Sequence, residues 1–256
     1  MVDIHAHIIP GVDDGSSDYE TSIVMAQMAQ DGGVTDIIAT PHANQRSRYE
    51  NYVSEDLDNR MTILCAAIRH AGLTVQVHPG MEVFGTPDVP ELLRQGKIRT
   101  LAGSRYLLVE FAFREDPYFM EKLLGRIRAE GAEPIVAHPE RYTALQDMPD
   151  ILFNWTKAGY ALQINKGSLA GTFGRSARHT ANLMLEHDLA AFVASDAHGS
   201  DRRTAELSRV QDYIAMEFSH RRAERLLETN PRRVLRNQPL AMGEPTPVDQ
   251  CQEVLL

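Results

Sequence analysis

Apolar and polar positions follow two rhythms along this chain. At the start, Asp3, His5 and His7 interleave with Ile4, Ala6 and Ile8, the two-residue period of a strand, so both imidazoles point to one face. Pro10-Gly11 and Asp13-Asp14-Gly15 then form a turn that can set a further carboxylate beside them. Next, Ser17-Asp18-Tyr19-Glu20 has the form of a capping box, and Ile23, Met25, Met28 and Ala29 make a helical stripe ended by Gly32-Gly33. The alternation repeats. Short apolar runs over 36–40, 74–77, 106–111, 134–138, 161–165 and 190–194 predict strands. Between them, residues 44–71 read as helical with Leu57, Met61, Leu64 and Ile68 on one stripe, followed by a short helix over 90–95. Pro117 opens a helix with Phe119, Leu123, Leu124 and Ile127 inward and Gly131 at its end, and further helices fall over 150–158 and 176–187. Residues 200–236 read as helical and 241–256 as a loose tail.

Seven β/α units in one run, without a linker or an internal repeat, predict parallel strands joined by helical crossovers, hence a barrel or a doubly wound sheet in one domain over 1–240. Chemistry then enters by position. His42, Glu82, Glu110, His138, Asp196 and His198 all fall at or just past the C-terminal ends of their strands, the rim that carries the chemistry of (β/α) barrels. Together with His5 and His7 they predict a metal site. Imidazole and carboxylate ligands without thiolates suit manganese, iron or zinc.

Composition narrows the class. With 256 residues and a net charge of -9, the chain is ample for one large core and lacks the clustered cations of a nucleic-acid binder. No run of apolar residues is long enough for membrane insertion, and Cys65 and Cys251 form no framework, so a cytoplasmic protein is expected. Cys65 has Ala71 where a thiol-dependent phosphatase has arginine, and Cys251 lies too near the end, which excludes that mechanism. Gly171-Thr172-Phe173-Gly174-Arg175 is too short for a nucleotide loop and reads as a structural turn; His70, His78, His179, His187 and His220 stand outside the strand-end pattern.

The ordered segments DIHAHIIPGVDDG, ATPH, GME, LVEF, AHPERY, QINKGS and ASDAH resemble the polymerase and histidinol phosphatase (PHP) superfamily, and within it the bacterial manganese-dependent protein-tyrosine phosphatases of capsule and exopolysaccharide synthesis. The resemblance covers residues 2 to about 240. It implies a single-domain, distorted (β/α)7 TIM-like barrel of the PHP fold holding three divalent ions, Mn2+ first and Fe or Zn as alternatives. By its pattern, His5, His7, Glu82 and Asp196 hold the first ion; Glu82 bridges to a second, bound also by Glu110 and His138; Asp14, His42 and His198 hold the third. Arg141 and Arg203, the latter preferred to Arg202, match the arginines that grip phosphate. Asp3 is expected either to accept a hydrogen bond from a ligating histidine or to be a polar residue at the barrel bottom, and Asp13 to be a turn former. Gly85-Thr86-Pro87-Asp88 departs from the pattern, which leaves the pocket rim open.

The implied activity is hydrolysis of phosphotyrosine on a protein by a metal-activated hydroxide, with the tail of a bacterial tyrosine kinase as the expected target. Three ions would outweigh the four carboxylates and keep the pocket positive for a phosphate dianion. A small-molecule phosphomonoesterase such as a histidinol-phosphate phosphatase, a metal-dependent nuclease and a non-catalytic scaffold are the competing classes. Oligomeric state is not legible.

Overall fold

The computed structural model describes residues 1–248. Among them are nine short strands: β1 (Val2–Ala6), β2 (Asp36–Ala39), β3 (His42–Ala43), β4 (Gln76–Pro79), β5 (Glu82–Phe84), β6 (Tyr106–Glu110), β7 (Glu133–Ala137), β8 (Ala161–Asn165) and β9 (Phe192–Ala194). All pairings are parallel, in the orders β1-β2-β4 and β3-β5-β6-β7-β8-β9. β2 and β3 are one strand broken at Thr40-Pro41, where proline has no N–H to give, and β4 and β5 are one strand broken at Gly80-Met81. A Cβ on Gly80 would come within 2.8 Å of Ile38 Cγ2, so the break packs tightly. Merged in this way, the nine segments make the seven strands that the hydrophobic rhythm predicts. Past β9 the chain returns to β1: Asp196 N–H donates to the His5 carbonyl at 2.9 Å, and His7 N–H donates to the Ala197 carbonyl at 2.9 Å. First and last strands are therefore neighbours in a distorted (β/α)7 barrel.

Two apolar layers hold it. Val2, Ile4, Ile38, Leu108, Ile135 and Phe192 form a cluster that, by strand alternation, fills the barrel beneath its C-terminal rim. A larger cluster packs helices onto the outside of the strands, where Leu57, Met61, Leu64 and Ile68 are the buried face of helix Glu55–His70, as their spacing predicts.

Several boundaries differ from expectation. Helix Tyr19–Asp31 is capped by Asp18 rather than Ser17, and its buried face is Ser22, Met25, Ala26 and Ala29. Residues 44–53 are not helical; Asn44 and Ser47 take φ of 63° and 64°, and the helix starts only after Ser54 accepts the Leu57 N–H. Met120, not Phe119, completes the inner face of helix Pro117–Ala129. Helices Ser208–Glu217, His220–Glu224 and Asn230–Leu235, with a π turn at Arg225–Thr229, replace the longer stretch expected from residue 200. Beyond them, Ala241 N–H donates to Asn230 Oδ1, and Glu244 N–H donates to Asp188 Oδ2, each at 2.8 Å. The rest of the expected tail, 249–256 with Cys251, lies outside the described residues. No helix among the described residues is long and apolar enough to cross a membrane.

Candidate metal centre

The strand ends bring the expected residues together. His5 and His7 leave β1, His42 begins β3, Glu82 begins β5, Glu110 ends β6, and His138, Asp196 and His198 follow β7 and β9. His5, His7, Glu82 and Asp196 are fully or almost fully buried, whereas Asp14 is exposed. Glu82 is the hub: its Oε2 lies 3.3 Å from His5 Nε2, 3.2 Å from His7 Nε2 and 3.0 Å from His42 Nδ1, and its Oε1 lies 2.9 Å from His138 Nε2. Asp196 Oδ1 is 3.4 Å from His5 Nε2 and 3.5 Å from His7 Nε2. Asp14 Oδ1 approaches His42 Nε2 at 3.3 Å and His198 Nε2 at 3.7 Å. Three trios have ligand atoms mutually within 4.8 Å: His5, His7 and Asp196; His42, Glu82 and Glu110; and His7, His42 and His198. The expected allocation puts His138, rather than His42, with Glu82 and Glu110; His138 Nε2 stands 4.0 Å from Glu110 Oε2, so the two histidines flank that pair.

Hydrogen bonds at the outer ring nitrogens orient these imidazoles. His5 Nδ1 donates to Gln163 Oε1 at 2.8 Å, an oxygen identified because Gln163 Nε2 itself donates to the Ile164 carbonyl. His7 Nδ1 donates to Asp13 Oδ2 at 2.8 Å. With Nδ1–H committed on both rings, Nε2 of each singly protonated ring offers a lone pair; the two nitrogens stand 3.2 Å apart, beside a buried Glu82 Oε2 that makes no well-aligned hydrogen bond. Two lone pairs this close and a buried carboxylate oxygen without such a bond are unstable alone, and a cation among them relieves both. The donor set thus fits a divalent ion. In this role Asp13 is more than a turn former. Asp3 binds no histidine ring: it accepts from Ser195 N–H at 3.0 Å and from Ser195 Oγ at 2.5 Å. The reason is a bulge in β1 between Asp3 and Ala6, which breaks the alternation that would set Asp3 on the histidine face. Gln163 went unassigned, although a glutamine and an asparagine two apart in a buried strand, Gln163 and Asn165, were the available signal.

Electrostatics show the same demand for positive charge. Burial opposes ionisation of Glu82 and Asp196, yet the surrounding imidazoles, with Arg203 beside Asp196, hold both carboxyls well below their usual range. Burial likewise opposes charging of His7 and His42, but the Asp13 carboxylate at His7 and Glu82 at His42 raise both rings far above normal. His198, buried and facing His7, is lowered to about 3. Protons on the imidazoles or divalent ions can meet this demand.

A cavity of about 660 Å3 opens onto the cluster, lined among others by Glu82, Glu110, His138, Arg141 and Arg203. Arg203 Nη2 hydrogen-bonds Asp196 Oδ2, whereas Arg202 is exposed and does not line this cavity. Arg141 Nη1 sits 3.6 Å from Asp196 Oδ2, its guanidinium stacked between the rings of Phe113 at 4.6 Å and Phe173 at 4.1 Å. Phe173, expected as part of a plain turn, is therefore a support for Arg141. Thr86 belongs to the rim: Asn44 Nδ2 donates to Thr86 Oγ1 at 2.7 Å, and Arg46 pairs with Asp88 at 2.7 Å, so the unmatched Gly85–Asp88 stretch shapes one side of the mouth. Gln45, from the segment expected to be helical, donates to Glu110 Oε1. His78, the one outlying histidine near Glu82 in sequence, pairs with Asp36 at 2.9 Å and does not line the cavity.

Comparison with known proteins identifies the family. Residues 1–236 match the family model described as capsular polysaccharide synthesis, CpsB/CapC. The chain is similar to the tyrosine-protein phosphatase YwqE of Bacillus subtilis (strain 168), 35% identical over 97% of this chain and 96% of that protein. It is also similar to the tyrosine-protein phosphatase CpsB of Streptococcus pneumoniae, 31% identical over 93% of this chain and 99% of that one. A crystal structure from a study of YwqE and CpsB, described there as unique metal-dependent tyrosine phosphatases, superposes with a TM-score of 0.91 at 33% identity, covering 98% of this chain and all of that one.

Proposed function

The chain belongs to the CpsB/CapC family of capsular polysaccharide synthesis, and from that premise we propose how its barrel rim works as a metal-dependent protein-tyrosine phosphatase. The observation that carries the reading is the pair of buried nitrogens, His5 Nε2 and His7 Nε2, 3.2 Å apart beside Oε2 of Glu82, a residue that itself lines a cavity holding Arg141 and Arg203. In this reading a phosphatase domain spans 1–240 and three divalent ions, Mn2+ by preference, are held as the family resemblance implies. His5, His7, Glu82 and Asp196 take the first ion, Glu82, Glu110 and His138 the second, and Asp14, His42 and His198 the third. When bound, such ions supply positive charge toward phosphoryl oxygens and make a coordinated water acidic enough to serve as the nucleophile.

The chain's own residues do the rest. Arg141, held flat between Phe113 and Phe173, presents a fixed fork to two phosphoryl oxygens, so little order is lost when phosphate binds. Arg203, bonded to the same Asp196 oxygen that Arg141 approaches, adds a second cation and stabilises charge as it builds on phosphorus in flight. Tyrosine, with a side-chain pKa of about 10, leaves as phenolate more readily than an alkoxide and needs less help from a general acid. The tyrosine-rich tail of a bacterial tyrosine kinase is the proposed target, with this chain acting in the cytoplasm, and both rest on the family alone.

The test compares kcat/KM for a phosphotyrosine peptide, a phosphoserine peptide and histidinol phosphate. Phosphotyrosine should lead, chelation should stop turnover, manganese should restore it, and Cys65→Ser should leave it unchanged. A lead for histidinol phosphate would overturn the substrate class, and activity that survives chelation would overturn the metal chemistry.

A further inference from the structure

A second cavity, of about 430 Å3, lies beside the first. Arg203 lines both, and Phe173, which supports Arg141 in the first, forms a wall of the second. Its polar side is cationic. Half-buried Lys166 sends its Nζ only to neutral oxygens, Thr204 Oγ1 at 3.3 Å and the Glu206 carbonyl at 2.5 Å. Arg178 and Arg209 stand exposed at the lip, and among the described residues no carboxylate pairs with Lys166, Arg178 or Arg209 within 4.0 Å. Glu206 Oε1 accepts from Ser208 Oγ and Arg209 N–H, and Asp201 is exposed; the Glu206 carboxylate and buried Asp3 act on Lys166 through space without pairing with it. Leu169, Phe173, Val210 and Tyr213 add apolar lining. Three cations without a paired carboxylate around a partly apolar cavity make a local positive patch in a protein of net charge -9, a place where an anion can be held.

We propose that this cavity is a second anion-binding site, which takes an acidic side chain of the same substrate protein, a carboxylate or a second phosphoryl group, close in sequence to the phosphotyrosine under hydrolysis. The inference rests on the phosphatase reading. Continuity through Arg203 and Phe173 puts the two sites on one path, and an extended peptide, advancing about 3.3 Å per residue, spans neighbouring sites within a few residues. The apolar lining accepts the stem or ring that carries the charge. Binding there would select among phosphotyrosines by their neighbours without touching the reacting phosphate.

The experiment uses p-nitrophenyl phosphate and peptides with one phosphotyrosine flanked by alanine, by glutamate at each neighbouring position in turn, or by a second phosphotyrosine. Wild-type protein should show KM about threefold to tenfold lower for the best acidic peptide than for the alanine peptide, with kcat unchanged, and the gap should shrink in about 0.5 M salt. The glutamate and phosphotyrosine arms tell the carboxylate from the phosphoryl source. In the Arg178→Ala, Arg209→Ala double variant, and in Lys166→Met, the gap should close while p-nitrophenyl phosphate is hydrolysed with wild-type constants. A gap that persists in both variants overturns the site, as does an equal loss on p-nitrophenyl phosphate. Anisotropy with non-hydrolysable phosphonate peptides reads the same preference without turnover. Failure to hydrolyse any of these esters with manganese present would instead sink the phosphatase reading, and the anisotropy result would still decide the site.

Discussion

Replacing Asp13 with asparagine keeps the shape of the turn after β1 and changes only charge and donor pattern. The two carboxylate oxygens now accept three N–H groups: Oδ2 takes His7 Nδ1–H at 2.8 Å and His42 N–H at 2.9 Å, and Oδ1 takes Gly15 N–H at 2.9 Å. Asparagine has one oxygen. With that oxygen placed for His7 and His42, its NH2 meets the Gly15 N–H head-on, and the turn cannot yield because the Gly15 Cα is already packed so closely that a Cβ there would fall 2.3 Å from the His7 carbonyl. Losing one hydrogen bond to a charged acceptor and weakening two others should cost about 2 to 3 kcal/mol of stability, or a Tm fall of roughly 4 to 10 °C in a chain of this size. The neutral amide also withdraws the charge that makes His7 basic, which should weaken metal affinity by about tenfold to a hundredfold. Calorimetry of the metal-free protein and the manganese dependence of phosphotyrosine hydrolysis measure the two effects. Wild-type Tm together with wild-type metal affinity would refute the orienting role of Asp13.

Glu82→Gln should yield a folded protein with less bound metal and no phosphatase activity, checked by metal analysis beside circular dichroism; full activity would remove Glu82 from the centre. Arg141→Lys keeps the charge but loses the planar fork stacked between Phe113 and Phe173, so kcat/KM should fall at least about tenfold, roughly 1.4 kcal/mol, at unchanged metal content. Burial opposes ionisation of Asp188, yet the Arg225 guanidinium and the Glu244 N–H outweigh it and hold this carboxyl below its ordinary value of 3.8. Its stabilising contribution is therefore present above about pH 3.8 and disappears as the pH falls through the lower folded-state value. Thermal melts of Asp188→Asn should lie below wild type at neutral pH and converge with it in strong acid; a pH-independent gap would contradict the ion-pair account.

The strands and their polar ends were legible because a barrel strand must be apolar over most of its length, so an acid or imidazole at its C-terminal end stands out against a uniform background. Leu57, Met61, Leu64 and Ile68 were legible for a similar reason, since each meets the core once per turn. The partners that aim the imidazoles were not. Gln163 reaches His5 only through the pairing of β8 with its neighbours, and Asp13 reaches His7 only because the turn folds back; neither distance is encoded in local spacing. The bulge in β1 defeated the placement of Asp3, because one inserted residue inverts every side chain beyond it. Residues 44–53 misled differently: a polar run without glycine or proline resembles a solvated helix, yet its side chains are occupied at the cavity mouth, Asn44 with Thr86 and Gln45 with Glu110.

The backbone at the rim shows how so many groups face one point. His138, Asp196 and Arg203 take φ of 36°, 49° and 51°, a left-handed conformation that costs a side-chain-bearing residue on the order of 1 to 2 kcal/mol. Glycine would adopt these turns freely but would bring no imidazole, carboxylate or guanidinium. Hydrogen bonds fasten each one instead: Arg141 N–H donates to the His138 carbonyl at 3.0 Å, Asp196 N–H to the His5 carbonyl at 2.9 Å, and His198 N–H to the Arg203 carbonyl at 2.8 Å. The reversal after β7 lets His138 and Arg141, three residues apart, enter the same cavity, and the one after β9 does the same for Asp196 and Arg203. Strain is thus concentrated where the strands end and is borne by the buried barrel below, whose packing resists relaxation. Because that cost is met when the chain folds, the proposed ligands and the Arg141 fork would need little reorganisation when a phosphate ester arrives, and charge building on phosphorus would meet dipoles already in place.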